Sequence, residues 1–240
     1  VDSAALLGHD NLLDAYPDAE SAECDGYGSV KITVAGEPSY RAGRCPVCEQ
    51  DRLGREITGF VPKRFRPRID VPAGVDAWLQ EGKQAEGLYI SGQVGTGKTH
   101  AAWEAVARWC AATRTRPHDG EPLMYDDARK GHPSVVFTRM TDLLDSLRPG
   151  DDGTLRIGDC QHTRLLVLDD VGAEKATEWT QERIYSIVDH RYANCLPLII
   201  TSNLPASDLA PQIGERAASR LAEMCRTVVA MTGADRRWPA

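Results

Sequence analysis

Gly92-Gln-Val-Gly-Thr-Gly-Lys-Thr99 has the spacing GxxxxGKT, and it stands between a short apolar run from Gly87 and an Ala-rich stretch of helical period. Strand, loop and helix in that order are what a phosphate-binding loop requires. Glycines let the backbone curl without side-chain clash, so successive N–H groups converge on phosphate oxygens and the following helix adds its positive end. In this loop Gly92, Gln93, Val94, Gly95, Thr96 and Gly97 supply backbone, and Lys98 neutralises the β- and γ-phosphates. Thr99, followed by His100, opens the helix and offers its hydroxyl to Mg²⁺. The expected ligand is a nucleoside triphosphate with Mg²⁺.

Two further clusters fit the same chemistry. Leu165-Leu-Val-Leu168 is a continuous apolar run of the kind found in parallel strands covered on both faces, and it ends in Asp169-Asp170. Carboxylates at the C-terminal end of such a strand are placed to hold Mg²⁺ through its waters and to orient an attacking water. Asp169 is assigned to the metal and Asp170 to the water. A second buried run, Leu198-Ile-Ile-Thr201, ends at Ser202-Asn203. The Asn203 amide is placed to bond the γ-phosphate or the attacking water; its alternative is a plain turn residue.

Seven cysteines are present, four of them (Cys110, Cys160, Cys195, Cys225) scattered singly, which argues against a disulfide framework. The other three fall in Cys24-Asp-Gly-Tyr-Gly28 and Cys45-Pro-Val-Cys48. A CxxC knuckle after a hairpin holds Zn²⁺ through thiolates, but structural zinc takes four ligands. Ser21 stands where a second CxxC would begin, leaving His9 or Asp18 to complete a site; the alternative is a reduced hairpin packed on its own cysteines.

The elements that must position these groups follow from periodicity. A strand is expected over 29–34 and a helix over 74–84 with Val75, Trp78 and Leu79 on one face. After the loop, Ala102, Ala105, Val106, Trp109 and Cys110 form a buried helical stripe. Residues 113–133 break the pattern and read as a surface insertion. A strand over 135–138 and a helix carrying Met140, Leu143, Leu144 and Leu147 come next. The helix over 177–193 buries Ile184, Ile187, Val188 and Tyr192. A last helix over 213–224 turns Ile213, Ala217, Leu221 and Met224 inward, with Arg216 and Arg220 on other faces, before a strand over 227–231. Five strands alternating with helices imply an α/β fold with a parallel sheet and nucleotide at the strand C-termini.

Composition, with 42% hydrophobic and 26% charged residues, is that of a globular chain. No apolar run reaches the roughly 18 residues of a membrane span and no leader-like start is present, so a cytoplasmic protein without membrane contact is expected. The net charge of −7 is unevenly spread: residues 1–25 hold seven Asp or Glu and no Lys or Arg. Arg52, Arg55, Lys63, Arg64, Arg66 and Arg68 oppose Glu56 alone. That basic stretch suits phosphates or an acidic partner, or is a solvated connector. The expected organisation is a cysteine-containing module over 1–59, a basic Pro-containing linker over 60–73 and an ATPase domain over 74–240.

From Gly92 onward the chain resembles the DnaC/DnaI/IstB group of AAA+ ATPases. The residues that carry the likeness are Gly92 to His100, Leu165 to Gly172, Arg191-Tyr192, Ile200-Thr-Ser-Asn203 and Gly214-Glu-Arg-Ala-Ala-Ser-Arg-Leu221. The resemblance implies sheet order 5-1-4-3-2, ATP as the nucleotide, and Asn203 as a sensor of the γ-phosphate. It also implies that Arg220, with Arg216 as second candidate, is inserted into a neighbouring subunit's ATP site, so that hydrolysis waits for self-association. The cysteine module followed by Val61-Pro-Lys-Arg-Phe65 resembles the loader branch, in which this module grips a DnaB-type replicative helicase. Asp170 stands where most AAA+ proteins have Glu, implying slow, switch-like hydrolysis. The chain runs out soon after its last strand, so no C-terminal helical lid is expected. The implied function is ATP-dependent loading of a hexameric helicase onto single-stranded DNA. The alternatives are an IstB-like transposition helper acting on duplex DNA and a non-catalytic ATP switch.

Overall fold

The computed structural model describes residues 12, 14–16, 19, 21–25, 27–34, 43–81, 86–117, 132–148, 156–173, 175–233 and 235. The chain divides into two compact units, Val1–Phe60 and Val61–Ala240.

In the smaller unit β1 (Ser21–Cys24) and β2 (Ser29–Thr33) form an antiparallel hairpin, and β3 (Gly43–Arg44) pairs with β2. The turn between β1 and β2 is held by Asp25, whose Oδ1 accepts from the backbone N–H of Tyr27 at 2.7 Å and of Ser29 at 3.0 Å. Those bonds, that from Ser29 first, hold the exposed carboxyl below its ordinary pKa. Helix α1 (Pro46–Phe60) follows at once, so Cys45-Pro-Val-Cys48, which follows the hairpin as expected, runs directly into a helix. Proline suits the first helical position because its missing N–H has no partner there anyway. A small core of Leu12, Val30, Cys45 and Val47 joins these elements.

In the larger unit β4 (Gly87–Gly92), β5 (Val135–Arg139), β6 (Leu165–Val171), β7 (Leu198–Ser202) and β8 (Thr227–Met231) form one sheet. The order is β5-β6-β7-β4-β8 and every pairing is parallel, so from the β8 edge the five strands run 5-1-4-3-2. Strand position explains composition. The interior strands β6 and β7 run apolar and buried from Leu165 to Leu168 and from Leu198 to Ile200 before their polar ends, whereas the edge strand β8 buries Val229 and Met231 while Val228 and Ala230 face solvent. Helices α2 (Ala73–Gln80), α3 (Lys98–Thr113), α4 (Met140–Ser146), α5 (Ile157–His162), α6 (Glu178–Ala193), α7 (Ala210–Ile213) and α8 (Glu215–Met224) complete the unit.

The stripes of α3 and α8 are buried as their spacing predicts, with two adjustments elsewhere. Tyr192 of α6 is only partly buried. Ile213 belongs to α7, because Gly214 breaks the backbone at φ +88 and starts α8 as a separate helix. The segment 60–73 differs from an extended connector. Lys63–Phe65 form a short 3₁₀ turn within the larger unit, and Phe65 stacks against Trp103 of α3, itself stacked on Phe137 of β5 at 3.8 Å between ring centroids. Most of the 113–133 insertion and the Arg236, Arg237 and Trp238 tail lie outside the described residues. Among the described residues no helix is long and apolar enough to cross a membrane.

Candidate nucleotide site

The loop joins β4 to α3 at the C-terminal edge of the sheet, between β8 and β7. Gly92 passes so close to β8 that a Cβ on it would lie 2.3 Å from the Met231 carbonyl oxygen, which excludes any larger residue. Thr96 folds back on the loop, its Oγ1 donating to the Gln93 carbonyl at 2.9 Å. Val94 stands 57% exposed at the tip.

Lys98 is 8% exposed, and its Nζ donates to Gly92 O at 2.8 Å, Gln93 O at 2.9 Å and Asn203 Oδ1 at 2.8 Å. The Asn203 amide in turn donates through Nδ2 to Asp170 Oδ1 at 3.0 Å. Asn203 therefore bridges the loop lysine to the second carboxylate of β6. The ammonium is desolvated, held at three acceptors and oriented before any phosphate arrives, as an anion site requires.

A second chain of bonds runs beside the first. Thr99 Oγ1 donates to Asp169 at 3.0 and 3.1 Å from the two carboxylate oxygens, and Thr201 Oγ1 donates to Asp169 Oδ1 at 2.6 Å. Thr201 Oγ1 also accepts from the Asp170 backbone N–H at 2.9 Å. A hydroxyl and a carboxylate side by side form a hard oxygen donor pair suited to Mg²⁺. Asp169 is 3% exposed, and burial pushes its carboxyl above the ordinary range, against the bonds from Thr201 and Thr99 that favour the anion. A cation bound there would relieve that cost.

The two carboxylates diverge because β6 is irregular at its end. On the β5 side Asp169 stays in register opposite Arg139, but on the β7 side the ladder jumps from Leu168 to Val171. Asp170 takes φ +59, uncommon for a residue with a side chain. A bulge of this kind re-aims side chains at a sheet rim, here one carboxylate to Thr99 and the next to Asn203.

His100 turns away from the loop: its Nε2 lies 2.8 Å from the Pro67 carbonyl and its ring meets Phe65 edge-on. Arg216 and Arg220 lie on α8, and both guanidinium groups pack on α6. The Arg216 guanidinium stacks 3.9 Å from the Tyr185 ring centroid and donates to its hydroxyl at 2.7 Å. That of Arg220 stacks 4.2 Å from the Tyr192 centroid, and its Nε pairs with Asp189 at 3.1 Å. Arg191, one position from Tyr192, is fully buried and donates to the carbonyls of Cys160, Thr163 and Pro197, tying the approaches to β6 and β7 together. Sequence reasoning gave no role to Thr201, although it sits in the same triplet as Asn203.

In the smaller unit the Sγ atoms of Cys24, Cys45 and Cys48 lie within 4.8 Å of one another, and Cys24 and Cys48 approach to 3.6 Å. Cys45 N–H donates to Gly28 O at 2.8 Å, which docks the hairpin turn on the start of α1 and brings the thiols together. The hydrogen bond with Cys24, with burial and Cys45, pushes the Cys48 thiol up to about 12. Three soft donors at this spacing suit zinc, which would reverse that shift by binding thiolates. Ser21 does not join them: on a strand a spacing of three puts it on the face opposite Cys24. His9 and Asp18 lie outside the described residues.

No family model matches the chain. The replicative helicase loader DnaI of Bacillus subtilis (strain 168) is 26% identical over 213 residues, 80% of this chain and 61% of that protein. The phage-like element PBSX protein XkdC of the same organism is 27% identical over 148 residues, 58% of this chain and 47% of that protein. The chain thus spans about half to three-fifths of the length of the curated relatives it matches. Among solved structures, the DnaC helicase loader superposes with a TM-score of 0.52 at 23% identity, covering 71% of this chain and 100% of the loader. A putative primosome component from Streptococcus pyogenes serotype M3 gives 0.55 at 20% identity over 76% of this chain and 98% of its own. AMPPCP-bound DnaA from Aquifex aeolicus gives 0.52 at 21% identity over 72% of this chain and 51% of its own. The chain thus shares its fold with the solved DnaC and DnaI structures and with DnaA.

Proposed function

We propose that this protein is an ATP-dependent loader of a DnaB-type replicative helicase onto single-stranded DNA. The observation that carries the reading is the double network in which Lys98 reaches Asp170 through Asn203 while Thr99 meets Asp169. Lys98 and the loop N–H groups hold the phosphates, Thr99 and Asp169 hold Mg²⁺ through oxygen, and Asp170 accepts a proton from the attacking water. Asn203 joins the groups that sense the γ-phosphate to the one that handles the water, so loss of that phosphate changes both. Arg220, with Arg216 beside it, completes the site of a neighbouring copy. The Cys24, Cys45 and Cys48 thiols hold zinc and shape the module that grips the helicase, which favours a loader over a transposition helper.

The test is complex formation by the full chain with its cognate helicase and single-stranded DNA. A complex that needs ATP and is lost in Lys98→Ala is expected. A Lys98→Ala protein that loads helicase as well as the parent would sink the ATP-dependent part. Stimulation of ATP turnover by duplex DNA and not by single strands would turn the reading toward transposition.

A further inference from the structure

Asp235, just past the end of β8, lies against the phosphate loop. A Cβ built on Gly95 would be 2.0 Å from Asp235 Oδ1, 2.1 Å from its Cγ and 2.5 Å from Oδ2. The carboxylate therefore fills the space that a side chain at position 95 would occupy. It is the φ of +85 at Gly95 that disfavours any residue with a Cβ there, whereas the carboxylate lies at the end of a flexible side chain that can swing aside. The loop that converges N–H groups on an anion thus already has one of the chain's own anions at its side.

We propose that Asp235 sets the affinity and lifetime of bound nucleotide. The inference rests on the reading of Gly92 to Thr99 as a nucleotide site. A negative charge within a few ångströms of the loop opposes phosphate, and the partly desolvated surroundings keep the opposition from being fully screened. An incoming nucleotide either binds against that repulsion or moves the carboxylate off Gly95. In both cases affinity falls and release quickens. The Lys98 ammonium and the loop N–H groups supply the attraction, and Asp235 limits how far it goes, a useful property for a switch that must let its product leave. Asp235 thereby becomes part of the site, although nothing in the loop motif announces it.

The test is titration and chase release of a fluorescent ATP analogue on the full chain, its Asp235→Asn and Asp235→Ser variants, and Lys98→Ala. Asp235→Asn keeps the shape against Gly95 and removes the charge. It is expected to bind about tenfold more tightly, with a correspondingly slower release, and the gain should shrink as salt rises from about 0.05 to about 0.5 M. Asp235→Ser, smaller and also neutral, should show the same direction. Unchanged or weaker binding in both neutral variants, or a gain indifferent to salt, overturns the proposal while leaving the nucleotide reading intact. Failure of the parent chain to bind, or undiminished binding by Lys98→Ala, overturns the nucleotide reading and the proposal with it.

Discussion

Lys98 and Asp169 sit 8% and 3% exposed, held by groups from the loop, from β4 and from the end of β7, whereas Arg216 and Arg220 lie along the surface of one neighbouring helix. The first pair is fixed by the sheet, whose strand ends cannot shift singly without disturbing several ladders. The second is fixed by a ring face and one partly exposed ion pair, Arg220 and Asp189 having side chains 36% and 38% exposed. Exposed pairs and cation–π contacts of this kind contribute about 1 kcal/mol or less each. One half of the proposed site is thus complete within the chain, and the other is held lightly enough to be offered to a second copy.

The division can be broken most decisively at Arg220. Arg220→Ala is expected to cost the assembled protein about 10³-fold in ATP turnover, the lower end of what a trans arginine supplies, and to leave nucleotide binding by dilute chain unchanged. Turnover measured against protein concentration, alongside nucleotide titration, separates the two. Equal loss of binding in dilute chain would mean that the arginine serves its own site.

Arg191 provides the contrast on α6 itself. Removing it strips several buried carbonyls of their donor, so Arg191→Met should lower unfolding stability by about 3 kcal/mol in urea titration. A change as small as that expected for Arg220→Ala in the same assay would remove the distinction between buried and offered arginines.

Asp169 tests the interior half more finely. Its carboxyl is raised chiefly by burial, so the folded chain holds that proton more tightly than the unfolded chain does. The ionised group therefore costs stability above the folded-state pKa, and the cost disappears as pH falls below the unfolded value. Asp169→Asn is expected to stabilise the nucleotide-free chain by about 1 kcal/mol at pH near 7, with the gain gone near pH 3, while Mg²⁺-dependent nucleotide binding falls. Thermal melts at the two pH values, with and without Mg²⁺ and nucleotide, check all three signs.

How much of this was legible beforehand depends on the range of the interactions. The loop from Gly92 to Thr99, the apolar strand ending in Asp169-Asp170 and the stripe from Ala102 to Cys110 could all be read because each is encoded within a few residues. Helix α1 was missed because it buries only Val47 and Ile57 in 15 residues and so shows no clear stripe. Helix α5 was too short to show a period. The Gly214 break went unread because Ile213 and Ala217 keep helical spacing across it. In the thiol cluster the cysteines were visible, but not that strand geometry would turn position 21 away from position 24.

By itself the sequence determined the phosphate-binding loop, the alternation of strands and helices, and the positions of Asp169, Asp170 and Asn203 at strand ends, because hydrophobic period and glycine spacing act locally. Only the tertiary structure decided that Asn203 links Lys98 to Asp170, that Thr201 supports Asp169, that α8 lays its arginines on α6 and that Asp235 reaches Gly95. Each of these joins residues far apart in the chain through an order of strands and a bulge in β6, and no local pattern carries that information.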